Sequence, residues 1–146
     1  MKKIFIACPY VKYCSDGVFQ DHTYKEFLES IYSLCMRYAE QVFLALKVEE
    51  YGKKPRHNYS CLMDMNELSS SDLVIALPDD SMGVAVELGW ASALQKHVIL
   101  LIDINKSYSP LIAHIHSITT GTIISYETNM NNALSDLETT LEFLKQ

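Results

Sequence analysis

The sequence predicts a doubly wound α/β three-layer sandwich, in which a five-stranded parallel sheet lies between two layers of helices. Short runs of apolar and β-branched residues alternate along the chain with longer segments whose apolar residues recur at helical spacing. Such alternation of strand and helix is typical of a parallel sheet covered on both faces. The 146 residues show no repeat, low-complexity tract or linker, so one domain over residues 1–146 is expected.

The individual elements follow from these patterns. The predicted strands cover residues 3–7, 41–46, 72–77, 97–102 and 121–126. The predicted helices cover residues 21–38, 59–70, 83–95 and 129–145. In this Rossmann-like class of fold, ligands bind beyond the carboxyl ends of the strands. A binding site is therefore expected among the loops over residues 8–20, 47–58, 78–83 and 103–109.

Composition and charge exclude several classes of function. The chain is 49% hydrophobic and 21% charged, as is ordinary for a globular protein, and its formal net charge is −6. A general nucleic-acid binder needs a basic surface, so no nucleic-acid partner is expected. No apolar run reaches the ~18 residues that a membrane span requires, so no membrane partner is expected. A small anionic ligand remains compatible, because helix N-termini hold phosphate without net positive charge.

The first residues and the cysteines indicate a cytoplasmic protein. The apolar run after Lys3 stops at Cys8 and Pro9 without a small-residue cleavage site, which predicts a strand rather than a signal peptide. The four cysteines show neither C-x-x-C spacing nor a paired framework, so reduced thiols are expected. The five histidines show no ligand or triad spacing and are assigned no chemistry. Neither a metal site nor a cofactor is predicted.

The most informative stretch begins where the third predicted strand passes into a helix. Ser81 and Gly83 stand at that junction, where a hydroxyl and backbone amides meet the positive end of the helix dipole, which is an anion site in outline. Glu87 lies one turn further, between apolar neighbours. The spacing leaves two alternatives open: Ser81 could serve only as the N-cap of the helix, and Glu87 could be a solvated surface carboxylate.

The segment 87–94, ELGWASAL, preceded by Ser81 and Gly83, resembles the nucleoside 2-deoxyribosyltransferase superfamily. Within it, the nucleotide-hydrolysing branch is most similar, which comprises the 2′-deoxynucleoside 5′-phosphate N-hydrolases and the CMP/5-hydroxymethyl-CMP N-glycosidases. The residues of the motif are most similar to those of the CMP/5-hydroxymethyl-CMP N-glycosidases, of the mildiomycin and bacimethrin type. The resemblance runs from the first strand to about Ile115. The first loop and the tail match loosely.

The resemblance implies a role for each matching residue. Glu87 falls on the catalytic glutamate, and Asp64 on an aspartate that helps handle the leaving base or the sugar. Ser81 matches a serine that holds the 5′-phosphate, and Ser109 one that reaches the phosphate of a neighbouring subunit. The residues themselves also allow plainer interpretations, in which Asp64 is an exposed helix carboxylate and Ser109 shapes a turn before Pro110.

The first loop carries the remaining assignments. Cys8, Pro9 and Tyr10, followed by residues 16–19, which end at Phe19, resemble the loop over base and phosphate. Tyr10 and Phe19 are expected to sandwich the flat base, although either could be a core residue instead. The deoxynucleotide hydrolases have a Gly-rich loop with arginine here, and only Gly17 and Lys12 stand in its place. Lys12 is therefore expected to contact the phosphate.

Three hypotheses for the function follow. The first is hydrolysis of the N-glycosidic bond of CMP or 5-hydroxymethyl-CMP, and the second is a 2′-deoxynucleoside 5′-phosphate N-hydrolase or a deoxyribosyltransferase. The third is a catalytically silent nucleotide sensor, which the presence of both Asp64 and Glu87 argues against. A homodimer or larger homo-oligomer with shared sites is expected, with Trp90, Ala91 and Ala93 suited to packing between subunits. Trp90 could equally belong to the core.

Overall fold

The structure, a computed structural model, describes residues 1–10, 13–54, 60–127 and 130–146. Its main sheet has five strands, and every neighbouring pair in it is parallel. A separate antiparallel hairpin pairs two short strands. In chain order the strands are β1 (Lys3–Ala7), the hairpin strands β2 (Cys14–Ser15) and β3 (Val18–Phe19), then β4 (Gln41–Leu44), β5 (Leu73–Ala76), β6 (His97–Asp103) and β7 (Gly121–Tyr126). The spatial order of the sheet is β4-β1-β5-β6-β7.

Helices cover both faces of the sheet. In chain order they are α1 (His22–Cys35), α2 (Ala45–Val48), α3 (Ser60–Ser69), α4 (Met82–Ala93), α5 (Pro110–Ala113) and α6 (Met130–Lys145). One core cluster joins α1 and α6 to one face, and a second joins α3 and α4 to the other. The predicted three-layer α/β sandwich is thereby confirmed. None of these described helices combines the length and the apolar character needed to cross a membrane.

Alternation along the strands explains the two clusters. Ile4 and Ile6 of β1 point into the cluster under α1 and α6, whereas Phe5 and Ala7 point into the cluster under α3 and α4. Successive side chains of a strand point to opposite faces, so a strand that is covered twice needs apolar residues throughout. All four residues of β5 are accordingly buried.

The second predicted strand, residues 41–46, extends too far. The strand ends at Leu44, and the chain turns at once into α2. Leu46 on that helix is fully buried, so its apolar character continues the strand pattern although the backbone is helical. A short apolar run is the case in which periodicity does not separate strand from helix. The predicted helix starts at Tyr59 and Asn129 lie outside the described residues.

The first loop contains a short hairpin that was not among the predicted strands. Asp16 and Gly17 have φ values of 49° and 73°. A two-residue hairpin loop of type I′ requires positive φ at both central residues, which is why Asp-Gly is favoured there. Phe19 at the end of β3 is buried, so the hairpin is anchored in the core under α1.

Candidate active site

The strand order places a topological switch between β1 and β5. From β1 the chain crosses to β4 on one side, and β5, β6 and β7 extend the sheet on the other side. The connections that leave β1 and β5 therefore diverge and open a crevice at the carboxyl ends of these strands, where doubly wound folds bind ligands. Cys8 directly follows β1, and the buried Leu77 and Pro78 follow β5, so these residues border the crevice.

Helix α4 brings Glu87 to this crevice. Its residues Val84, Leu88 and Ala91 are buried against the sheet, and Glu87 lies at the margin of that face, where it is half-buried. Burial, and secondly the negative charge of Asp64, raise the pKa of Glu87 from 4.5 to about 8. The carboxyl group therefore keeps its proton at neutral pH in the unliganded protein. A solvated surface glutamate does not describe this side chain.

Asp64 reaches the same place from α3, which packs beside α4. Its side chain is half-buried rather than exposed, and its charge contributes to the raised pKa of Glu87. The structure thus brings together the two predicted carboxylates from neighbouring helices. Two carboxyl groups coupled in this way share a proton over a pH range in which each alone would be ionised.

Cys8 is a third group near Glu87; it was expected in the loop over base and phosphate, but without a role in the chemistry. Burial raises the pKa of the Cys8 thiol well above its ordinary value, and the charges of Glu87 and Cys14 raise it further. Cys8 is therefore a neutral thiol with little nucleophilic character, and it adds apolar surface beside the carboxyl pair. Its position as the first residue after β1 is the sequence feature that could have indicated this place beside Glu87.

The other thiols and acidic groups give no indication of a metal centre. All four cysteines are free thiols, and Cys61 is the one classed as exposed. Among the residues that the structure describes, no three His, Cys, Asp or Glu side chains are grouped so that they could hold a metal ion.

Ser81 and Gly83 form the start of α4, close to the carboxyl pair. Ser81 is the N-cap, and its Oγ accepts a hydrogen bond from the Val84 N–H at 3.3 Å. The capping role is compatible with anion binding, because other amides of the first turn lack partners within the helix. A Cβ atom at Gly83 would lie 3.6 Å from Ser81 Oγ, an ordinary contact. The fold therefore does not need glycine at this position, whereas a ligand that approaches the backbone amide does.

We expect Gly83→Ala to separate stability from ligand binding. Alanine is favoured over glycine in a helix by up to about 1 kcal/mol, so the melting temperature should stay level or rise. The added methyl group would occupy the space beside Ser81 Oγ, and an anion that binds at this helix end should bind about tenfold more weakly, the size of one lost charge-assisted hydrogen bond. Calorimetric titration with CMP, the type of ligand that the sequence resemblance implies, tests this expectation. Gly89→Ala, where a Cβ would meet nothing within 4 Å, is the matched control for the helix contribution to stability.

The first-loop residues occupy different environments. Tyr10 is half-buried and packs against the core cluster under α1, and Pro9 is buried. Phe19 is only 4% exposed, and its ring stacks on those of Tyr13 and Tyr24. The core alternative therefore describes Phe19, which has no free face for a base in this conformation. Lys12 lies outside the described residues.

A family model decides the wider relationship. The model of the nucleoside 2-deoxyribosyltransferases matches residues 11–138, most of the chain. The chain belongs to the nucleoside 2-deoxyribosyltransferase family. No functionally curated protein matches it.

Solved structures share the fold of this deoxyribosyltransferase-family chain. The CMP N-glycosidase BcmB of Clostridium botulinum is 23% identical with a TM-score of 0.72, over 95% of this chain and 99% of that one. BlsM is 22% identical with a TM-score of 0.78, over 98% and 91%. A conserved protein from Enterococcus faecalis V583 is 17% identical with a TM-score of 0.64, over 99% of both chains. At these identities the likeness establishes a common architecture.

Two predicted features of this deoxyribosyltransferase-family protein concern a second subunit. Ser109 is exposed and caps α5, with its Oγ accepting from the Leu111 N–H at 3.3 Å. Trp90 is half-buried and packs against the core cluster under α4, and Ala91 is fully buried there. The expectation that Ala91 packs between subunits is therefore wrong, because α4 turns that position toward the sheet. Among the large apolar side chains of α4, that of Met82 is the most exposed, at 85%.

Proposed function

We propose that this protein hydrolyses the N-glycosidic bond of a pyrimidine nucleoside 5′-monophosphate, CMP or 5-hydroxymethyl-CMP, to free base and ribose 5-phosphate. The observation that carries the proposal is the half-buried Glu87 beside Asp64 at the switch-point crevice, with the amide end of α4 on the same helix. The description of one structural neighbour as a CMP N-glycosidase supports the choice of substrate.

The chemistry of the bond explains why two carboxyl groups are suited to it. As the C1′–N bond breaks, its electron pair moves to the base nitrogen and positive charge develops on the sugar. A carboxylate below C1′ stabilises this charge or bonds to the carbon, and a proton donor beside the base neutralises the leaving group. Glu87 takes the first role and Asp64 assists with the base or the sugar.

The proton shared by the pair completes the reaction. The raised pKa of Glu87 means that the two carboxyl groups enter the reaction with one proton between them. As the C1′–N bond breaks, this proton passes from the Asp64 side of the pair to the departing base, so that Glu87 is ionised below C1′ as the cation forms. Water then adds to C1′ and returns a proton to the pair. The balance is one nucleotide and one water consumed, and one base and one ribose 5-phosphate released. Water is the only co-reactant.

The phosphate is held at a distance from the reacting bond. Ser81 and the amide of Gly83, at the positive end of α4, supply hydrogen-bond donors and a favourable dipole to the 5′-phosphate. Binding energy gained there orients the sugar over Glu87 without touching the bond that breaks. A nucleotide is therefore the preferred substrate over a nucleoside.

A deoxyribosyltransferase is the second candidate, because the family model that matches the chain carries that description. Release of cytosine from CMP, dCMP and cytidine, each with and without an added free base, separates the candidates. Cytosine and ribose 5-phosphate formed from CMP in water alone support the glycosidase. Release that requires the added base identifies a transferase, and a preference for dCMP identifies a deoxynucleotide hydrolase. Binding of CMP without release from any substrate identifies a sensor.

We further propose that two subunits share each site, with Ser109 of one chain contacting the phosphate bound by the other. The exposure of Ser109 and the exposed apolar side chain of Met82 support this arrangement. A Glu87→Ala chain and a Ser109→Ala chain should each be inactive or severely impaired, and a mixture should regain activity, because some mixed dimers contain one intact site.

The mixing experiment has two requirements that make it decisive. Subunit exchange is verified by differential tagging, and Ser107→Ala, at another exposed serine of the same loop, is the control that should retain activity. Full activity of Ser109→Ala alone, or no recovery despite proven exchange, would contradict the shared site. Full activity of a protein that sediments as a monomer would also contradict the shared site.

A further inference from the structure

Asp79 connects three separate segments of the chain, and the proposed chemistry gives it no role. It lies in the turn between β5 and α4, two residues before Ser81. Its Oδ2 accepts a hydrogen bond from the Tyr13 hydroxyl at 3.0 Å, and its Oδ1 pairs with Lys106 Nζ at 3.1 Å. The Asp79 side chain is only 9% exposed, so these contacts are shielded from water more than those of an ordinary surface ion pair.

The backbone at Asp79 determines where Ser81 lies. The Ser81 N–H donates to the Pro78 carbonyl at 3.2 Å, which makes Asp79 and Asp80 the central residues of a tight turn. Asp79 has a φ of 38°, in the left-handed region that residues other than glycine rarely adopt. Such a conformation persists only where the surroundings hold it. A displacement of the Asp79 side chain would therefore pass directly to Ser81.

The two partners of Asp79 are themselves fixed. The Tyr13 ring stacks on the Tyr24 ring with 4.4 Å between centroids, which anchors it in the core. Burial, and then the charge of Asp79, raise the pKa of the Tyr13 hydroxyl, so that it remains a proton donor. Lys106 belongs to the loop after β6, three residues before Ser109, and this loop is joined back to β6 because the Asp103 N–H donates to the Tyr108 hydroxyl at 3.0 Å.

We propose that Asp79 is a positioning residue for the 5′-phosphate subsite, where it fixes the turn that carries Ser81. Its pairing with Lys106 also neutralises a carboxylate that would otherwise repel the phosphate two residues away. This inference rests on the proposed function, because it assumes that Ser81 and the start of α4 receive the phosphate. Asp79 does not take part in the bond cleavage itself.

The test removes the ion pair without a change in net charge. In Asp79→Asn/Lys106→Met, asparagine still tolerates positive φ, so the backbone can form the turn, but the charged contact that holds the turn in place is lost. We expect KM for CMP to rise about tenfold, the size of one lost charge-assisted contact, with kcat little changed. The kcat/KM for cytidine, which has no phosphate, should fall less than about twofold. The charge-neutral control Arg37→Met/Glu138→Gln removes an ion pair between the turn after α1 and helix α6, at the surface, and should change neither value.

A second variant guards against misfolding of the first. Tyr13→Phe keeps the stacked ring and removes only the hydroxyl, and it should lower the preference for CMP over cytidine in the same direction by a smaller factor. Equal losses on CMP and cytidine, or an unchanged preference in both variants, would overturn the positioning role while leaving the glycosidase intact. If the wild-type protein releases no base from CMP, the proposed function fails instead. In that case the positioning role is tested by calorimetric Kd values: the variants should weaken the binding of CMP more than the binding of cytidine.

Discussion

Glu87→Gln should lower the turnover of CMP by at least ~10³-fold while CMP still binds. Glutamine fills the same half-buried space but neither bonds to C1′ nor carries the charge that stabilises the developing cation. The loss should appear in kcat, since the phosphate and base contacts are proposed for residues other than Glu87. Base release under saturating CMP measures turnover, and calorimetric titration measures binding. Turnover close to that of the wild type would contradict the assigned mechanism.

The same variant gives a second, independent result in its stability. Because the pKa of Glu87 is raised from 4.5 to about 8, the folded wild-type protein holds a proton there that the unfolded chain has lost. The wild-type protein therefore loses stability as pH rises from about 4.5 to about 8, and the loss is complete above that range. Glutamine does not titrate, so this loss is absent from the variant.

We accordingly expect the melting temperature of Glu87→Gln to exceed that of the wild type at pH 8.5 and to approach it near pH 4.5. Glu26→Gln, the same chemical change on the exposed surface of α1, is the matched control and should show no such pH-dependent difference. A pH-independent difference would show that glutamine alters packing, and it would remove the support that the half-buried carboxyl pair gives to the mechanism.

The fold was predictable because its signals are local. The bounds of β1 and β7 agree with the prediction. The apolar residues of α1 that recur at helical spacing in the sequence are the ones that are buried, namely Tyr24, Phe27, Leu28, Ile31, Leu34 and Cys35. At Leu46 the local pattern predicts the wrong element, because its burial results from the packing of helix α2 against the sheet and not from the alternation of a strand. The Asp16-Gly17 pair is a local signal for a hairpin, but each flanking strand has only two residues, too few to show an alternating pattern in the sequence.

The site was predictable only in part, since its geometry depends on contacts between distant segments. Spacing along α4 did not decide whether Glu87 faces water, because that depends on the packing of α3, which brings Asp64 close. The contact between Tyr13 and Asp79 joins residues 66 positions apart, and no motif relates them. The burial of Phe19 likewise follows from the stack with Tyr13 and Tyr24, which only the folded chain forms.

If Ser81 and the start of α4 bind the phosphate as proposed, the wild-type kcat/KM for CMP should exceed that for cytidine by about ten- to a hundredfold. One charge-assisted hydrogen bond is worth roughly 1.5–3 kcal/mol, and the N-terminus of α4 offers at least one to the phosphate. Cytidine presents the same base and sugar, so the ratio isolates the phosphate. Equal values for the two substrates would indicate an enzyme that acts on unphosphorylated nucleosides, as expected for a transferase.

Ser81→Asp makes this prediction specific to one position. Aspartate caps helices about as well as serine, so α4 should begin at the same residue and the melting temperature should change little. Its carboxylate would stand where the phosphate is expected and repel it, so the preference for CMP should disappear while the hydrolysis of cytidine persists. Ser81→Thr, which keeps both the hydroxyl group and the cap, should retain most of the preference. If Ser81→Asp kept the full preference for CMP, the phosphate would have to bind elsewhere, because a carboxylate at this N-cap and a phosphate at the first turn of α4 cannot share the same donors without repulsion.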